Sequence, residues 1–316
     1  MTAIEFRPRS VSELVDASFQ VLRQNFGPLA VIAALTVAPS VIINVVTSRL
    51  ADAITNPAAG TLPSPGRAFW FLPITLIGTC WTFVGVGALV AAVADACARK
   101  PVDPAGSFRR AFARAWTLIG AHLLVYLIAF GLFLVGAVLA GVLIPILVKG
   151  VGTGTAGSVG PLATVALVST VLIFGGLAWM VIAVARYYVV GPSIMIEGVG
   201  VMASLRRSRS LSAGHMKRIV GMLFLIAIVG VVVYGTIYGV TQALTKDRNV
   251  LNAVFGVLAI PLYPLVVSLM TLLYYDLRIR KEGYDIELMA QQIADGGSPD
   301  AGAAGNAAAT TAAVSR

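Results

Sequence analysis

Long apolar runs separated by short polar stretches dominate this chain. From the N-terminus they cover residues 29–47, 69–97, 118–148, 161–190, 219–244 and 253–275. A hydrocarbon slab about 30 Å thick takes roughly 20 apolar residues as a helix, so each run can cross it. No period-two alternation of barrel type persists despite the many Val and Ile residues, which argues against strands. The pattern therefore predicts an all-α polytopic membrane protein with six transmembrane helices. The second, third and fourth runs exceed the minimum and should tilt, bend or project past the headgroups. The first run begins after 28 residues and outlasts the apolar core of a secretory signal, so it reads as a retained helix.

A second pattern precedes each odd-numbered run. Residues 10–26 open with Ser10-x-x-Glu13, a capping-box spacing, and place Val11, Leu14, Val15, Phe19, Leu22 and Phe26 at helical intervals. Phe108, Phe112, Ala115 and Ile119 line a second such stretch beside Arg109, Arg110 and Arg114. The third, residues 201–217, is more basic and less cleanly amphipathic. These segments are expected to be interfacial amphipathic helices with cations near the headgroups. The unit of surface helix, span, outer loop and span is thus used three times, as three pseudo-repeated helix pairs. Asp95, Arg186 and Asp276 fall near the ends of the even-numbered spans at separations of 91 and 90 residues, and Phe26 and Trp116 are also 90 apart. Parallel repeats about the membrane normal fit this spacing.

The remaining segments are connectors and ends. Residues 1–9 form an N-terminal segment and 10–290 the membrane domain. Residues 52–68 are rich in Pro and Gly and suit a short outer cap. The 150–160 segment holds five glycines without the Lys-Ser or Lys-Thr of a phosphate loop. Residues 291–316 are mostly Ala, Gly, Thr and Ser and are expected to be a disordered tail.

Composition sharpens the class. Of 316 residues, 58% are apolar and 12% charged, against about 25% charged in a soluble domain. Together with a mean hydropathy of +0.89, this excludes a soluble enzyme, a coiled coil and a disulfide scaffold. The net charge of +9 is mostly topology: with the N-terminus inside, 18 basic residues fall on the cytoplasmic side and 5 outside. Both termini are expected in the cytoplasm, at the cell membrane, and nucleic acid is not needed to explain the basic balance. Cys80 and Cys97 share one apolar run with no metal or redox spacing.

Charges at membrane depth are candidates for function. Asp95, Arg186 and Asp276 could form a ring that binds an ion, a headgroup or a proton. Their position at span ends favours structural ion pairs instead, with Arg186 snorkelling. His122 lacks a second ligand on its span and suits a helix–helix hydrogen bond better than catalysis. Glu197 follows the Gly191-Pro192 break and can bind a cationic group or fold back onto Arg206 and Arg207, with the fold-back favoured. Gly235-x-x-x-Gly239 permits close helix approach in the fifth span, and Pro261 and Pro264 should kink the sixth, a packed kink being commoner than the broken helix that can make a substrate site. No nucleophile, zinc or acidic-pair motif is present, so no enzyme activity, metal or cofactor is expected. The expected partners are membrane lipids, with Arg109, Arg110, Arg206, Arg207, Arg278, Arg280 and Lys281 as contacts for anionic headgroups. Asp276/Arg280 and Arg278/Glu282 are i,i+4 pairs that suit a helix leaving lipid. Tyr274 and Tyr275 suit an interfacial aromatic belt, and Leu288, Met289 and Ile293 could rest on the surface.

Two stretches carry a family likeness. One runs from Pro192 through Glu197-Gly198 to Arg207-Ser208-x-x-Leu211-x-x-Gly214. The other is Tyr274-Tyr275-Asp276-Leu277-Arg278-Ile279-Arg280-Lys281-Glu282-Gly283-Tyr284-Asp285. With the opening at 10–27, they resemble the membrane domain of the glycerophosphoryl diester phosphodiesterase family, over most of residues 8–290. That family's hydrolase chemistry belongs to a separate barrel domain, so the resemblance implies a multi-pass helical module and no catalytic residue. The leading expectation is a non-enzymatic scaffold or lipid-associated accessory module. The alternative is a transporter of a small amphiphile or ion with its site between the repeats.

Overall fold

The computed structural model describes residues 9–55, 65–152, 159–245 and 248–283. Among the described residues the chain is all-α, with no strand. The elements are α1 (Val11–Gln24), α2 (Phe26–Thr55), α3 (Pro65–Cys97), α4 (Pro104–Ala113), α5 (Ala115–Gly152) and α6 (Val159–Tyr187). A short α7 (Val190–Pro192) runs into a π-helical turn at Ser193–Glu197, followed by α8 (Val201–Ser212), α9 (Met216–Leu244) and α10 (Arg248–Glu282). Helices α2, α3, α5, α6, α9 and α10 contain six segments long and apolar enough to cross a membrane, at the six predicted places. The protein is a polytopic helical membrane protein. The expected outer cap lies partly, and the disordered tail and the surface residues Leu288, Met289 and Ile293 wholly, outside the described residues.

Local chemistry explains where the short helices start. The Ser10 backbone N–H donates to the Glu13 carboxylate at 2.6 Å and Ser10 Oγ accepts from the Glu13 N–H at 3.2 Å, so the predicted capping box closes α1. Asp103 caps α4 by accepting from the N–H groups of Ala105 and Gly106, with Pro104 preset for the first turn. The break expected near Gly191-Pro192 is present: α6 stops at Tyr187, and the π-turn ends on Gly198 at φ 75°. The sixth span is not broken. α10 runs unbroken through Pro261 and Pro264, as α2 does through Pro39, because an isolated proline in a packed membrane helix frees few backbone groups.

Packing is concentrated at one end of the bundle. That end carries the starts of α2, α5 and α9 and the finishes of α3, α6 and α10, and is called here the charged end. Leu14, Leu29, Ile32, Leu89, Leu118, Ile194, Leu211, Ile219, Leu273 and Leu277 form one buried cluster there. Farther along, α5, α6 and α9 expose most of their apolar side chains, as lipid-facing helices do.

The element order repeats three times, but the three pairs do not pack alike. α2 lies closely against α3, and α5 against α6, whereas α10 lies more extensively against α2 than against its neighbour α9. Small residues decide this. Gly256 of α10 faces Val41 of α2, and Gly85 of α3 faces Thr36 of α2. Gly235 and Gly239 of α9 meet nothing within 4 Å. The close approach that pair permits is therefore not made among the described residues and occurs at other glycines, because α9 turns this face outward.

The α5–α6 contact gives a direct test. A Cβ on Gly176 would fall 2.7 Å from the Phe133 backbone nitrogen, while neighbouring Gly175 faces open space. Gly176→Ala should lower unfolding stability in detergent by about 1–3 kcal/mol through overpacking. Gly175→Ala carries the same gain in helix propensity without the clash, and should be neutral or slightly stabilising.

Candidate functional site

The charged end holds two separate ion-pair networks and one isolated pair. The first centres on Asp276, which is 2% exposed. Its carboxylate accepts from Arg280 Nε at 2.9 Å and from the Arg9 backbone N–H at 2.8 Å, and pairs with Arg218 Nη2 at 3.1 Å. The Arg9 carbonyl in turn accepts from Arg218 and Arg280. One carboxylate thus ties the entry to α1, the first turn of α9 and the last turns of α10.

The second network centres on Glu197, at the end of the π-turn. Arg207 Nε donates to both Glu197 oxygens, at 2.9 and 2.8 Å, and Arg207 Nη2 donates to Glu282 at 2.8 Å. Tyr274, fully buried, donates its hydroxyl to Glu197, and Arg278 donates to Glu282 at 3.2 Å. The Glu282 and Glu197 carboxylates push the Arg207 guanidinium above its ordinary pKa. The stretches 192–214 and 274–283, noted for their family likeness, meet face to face here. Within the first, Ser208 and Ser212 donate to the Arg186 carbonyl at 3.0 and 3.2 Å, satisfying the open end of α6. Leu211 is wholly buried, and Gly214 turns the chain at φ 88°.

The isolated pair is Asp95 with Arg110, whose Nη1 donates at 3.0 Å. Asp95, Arg186 and Asp276 therefore do not assemble into a ring. Asp95 and Asp276 take different arginines, and Arg186 has no carboxylate partner among the described residues. Acids this close to basic surface helices find local counter-charges before they can reach one another. His122 also differs from expectation. Its Nδ1 donates to the Leu118 carbonyl of its own helix at 2.8 Å, and its ring stacks on Phe83 at 4.8 Å, so it crosses to α3 by ring contact.

The expected headgroup cations divide in two. Arg110, Arg207, Arg278 and Arg280 are engaged by carboxylates, and Lys281 donates to the Ser210 carbonyl. Arg109 and Arg206 are exposed and have no protein partner among the described residues. Beside them sit large exposed apolar groups. Trp116 is 86% exposed, Met202 59% and Phe112 50%. The third residue after Arg109 is Phe112, and the fourth after Met202 is Arg206, so each cation shares a helix face with an apolar anchor. Val201 of α8 packs against Gly120 of α5, one turn beyond Trp116. Trp and Arg together at a membrane boundary satisfy both the apolar and the headgroup layers.

Several of these contacts were hidden in the sequence. Tyr274 and Tyr275 are buried rather than forming an aromatic belt, because the Tyr274 hydroxyl has a carboxylate to meet. Arg218 and the Arg9 backbone gave no local signal, since their partner Asp276 lies far along the chain, 267 residues from Arg9. The repeat Ser204, Ser208 and Ser212 was legible as a polar stripe at helical spacing. Among the described residues, no three His, Cys, Asp or Glu side chains gather as a metal site.

Asp276→Asn should destabilise the protein by about 3 kcal/mol, because it removes the buried carboxylate that two partly buried guanidinium groups share. Asp95→Asn, whose partner Arg110 is half-exposed, should cost less than about 1 kcal/mol. Denaturant titration of both variants in micelles reads the difference. No family model, curated protein or solved structure matches this chain.

Proposed function

We propose that this protein is a non-enzymatic, lipid-associated scaffold or accessory module of the cell membrane, with both termini in the cytoplasm. The observation that carries this reading is the division of the cations. The inward set is spent on holding surface helices to the bundle, and the free set lies beside exposed Trp116, Phe112 and Met202. An anionic bilayer surface presents phosphate outside and hydrocarbon beneath, which is the complement of that pattern. The likeness to the membrane domain of the phosphodiesterase family fits such a module.

The transporter reading needs Asp95, Arg186 and Asp276 around one hydrated path between the repeats. Separate local partners for the two acids, and the near-complete burial of Asp276, weigh toward the scaffold.

The two arginine sets should separate experimentally. In the doubly substituted Arg109→Gln, Arg206→Gln protein, retention of phosphatidylglycerol at low salt should fall several-fold with the unfolding midpoint unchanged. Arg207→Gln should instead lower the unfolding midpoint, because it strips both Glu197 and Glu282 of a partner. Equal lipid retention by the double variant and the parent protein would remove the basis of the proposal. Orientation has its own check. In a background with Cys80 and Cys97 replaced, an Arg109→Cys variant should react with a membrane-impermeant maleimide only after the cells are lysed.

A further inference from the structure

Arg114 is a cation held at the charged end without a counter-charge. It forms the elbow between α4 and α5, at φ −115° and ψ 15°. The side chain is half-buried, and its Nη1 donates to the Ile194 carbonyl at 3.2 Å. Its two terminal nitrogens lie against Gly198, where an added Cβ would come within 2.8 and 2.9 Å of them. Glycine is favoured there by φ 75°, and a Cβ would displace the guanidinium.

No carboxylate of the described residues is in ion-pair range of Arg114, whereas Arg110, Arg207, Arg218, Arg278 and Arg280 each have one. The acid nearest in sequence to Gly198 is Glu197, and its oxygens already accept from Arg207 and Tyr274. A guanidinium carries five N–H donors, and one carbonyl uses only one of them. A half-buried charge left in this state is unfavourable, and an anion that enters beside it relieves the cost.

The surroundings specify the anion. Trp116 stands two residues along the chain, almost fully exposed, and Arg109 lies on the preceding helix. The Val201–Gly120 contact brings the start of α8, with exposed Met202, beside the first turns of α5. Large exposed apolar groups on α5 and α8 thus lie near the guanidinium in sequence and along the fold.

We propose that Arg114 seats the phosphate of an anionic phospholipid headgroup in the seam between the α4–α5 elbow and the Ile194–Gly200 segment. The planar guanidinium gives two parallel N–H groups to two phosphate oxygens, a geometry that lysine does not reproduce. This deepens the lipid-associated reading and rests on it, adding the chemical group recognised and the residue that recognises it.

The test uses the full-length protein in neutral detergent, titrated with short-chain phosphatidylglycerol, short-chain phosphatidylcholine or inorganic phosphate, with thermal unfolding as the readout. Phosphatidylglycerol should raise the midpoint of the parent protein, and phosphatidylcholine should do so far less. Arg114→Gln should weaken the phosphatidylglycerol response about tenfold in concentration, and Arg114→Lys should recover only part of it. A response to phosphatidylglycerol but not to phosphate identifies the lipid phosphodiester as the source, and an equal response to both identifies a free phosphate as well. If Arg114→Gln responds like the parent while the Arg109→Gln, Arg206→Gln protein does not, the Arg114 seat is overturned and the broader lipid reading stands. If neither variant differs from the parent, both fail. Should Arg114→Gln not fold, the parent protein decides: equal response to phosphatidylglycerol and phosphatidylcholine, with none to phosphate, overturns the seat.

Discussion

An ionised carboxylate inside an apolar bundle needs cations and donors around it, and Asp276 meets that need in one place. Its partners come from the segment before α1, from the first turn of α9 and from one turn farther along α10. A hydrophobic core alone holds helices together without fixing which end of which helix belongs where, because dispersion contacts have no direction. The Asp276 network is directional. It sets the depth of α10 relative to the start of α1, and the Glu197 network does the same for α8 and the π-turn. The buried cluster of leucines and isoleucines around them lies at the same end. Polar contacts and apolar burial there define one rigid platform.

That platform determines what the charged surface can offer. Arginine is abundant at this end of the molecule, and Arg110, Arg207, Arg218, Arg278 and Arg280 are turned toward carboxylates that neighbouring helices bring close. Arg109 and Arg206 instead share helix faces with Phe112 and Met202. Paired charges contribute little field at a distance comparable to the screening length, so the field of this rim is concentrated at its unpaired cations rather than spread uniformly.

The fold was largely legible from the sequence, for reasons that particular residues make clear. Six apolar runs are a statement about solvent, and solvent dictates helices in lipid whatever the tertiary contacts. Ser10 and Glu13 act three residues apart, so their capping box could be read locally, as could the i,i+4 pairs Asp276/Arg280 and Arg278/Glu282. The site was less legible. Asp95, Arg186 and Asp276 share a spacing, and spacing suggested that they share a place, but each acid responds to the nearest cation rather than to the repeat. The glycine pair at 235 and 239 misled in the same way, because a short motif shows that a helix can be approached and not from which side. The Arg114–Gly198 contact could not be foreseen, since it depends on an elbow and a π-turn meeting across 80 residues of chain.

The packing of α10 along α2 joins the first and last membrane helices of the chain. Ribosomal synthesis delivers α2 early, so the face bearing Val41 must wait, covered by lipid or by a helper, until α10 emerges. The α5–α6 hairpin needs no such delay, because its partners are consecutive and close on each other as soon as both are inserted. Biogenesis of this molecule therefore ends with a docking event that spans nearly its whole length. A chain stopped before α10 is left with an open seam, the kind of surface that membrane quality control recognises.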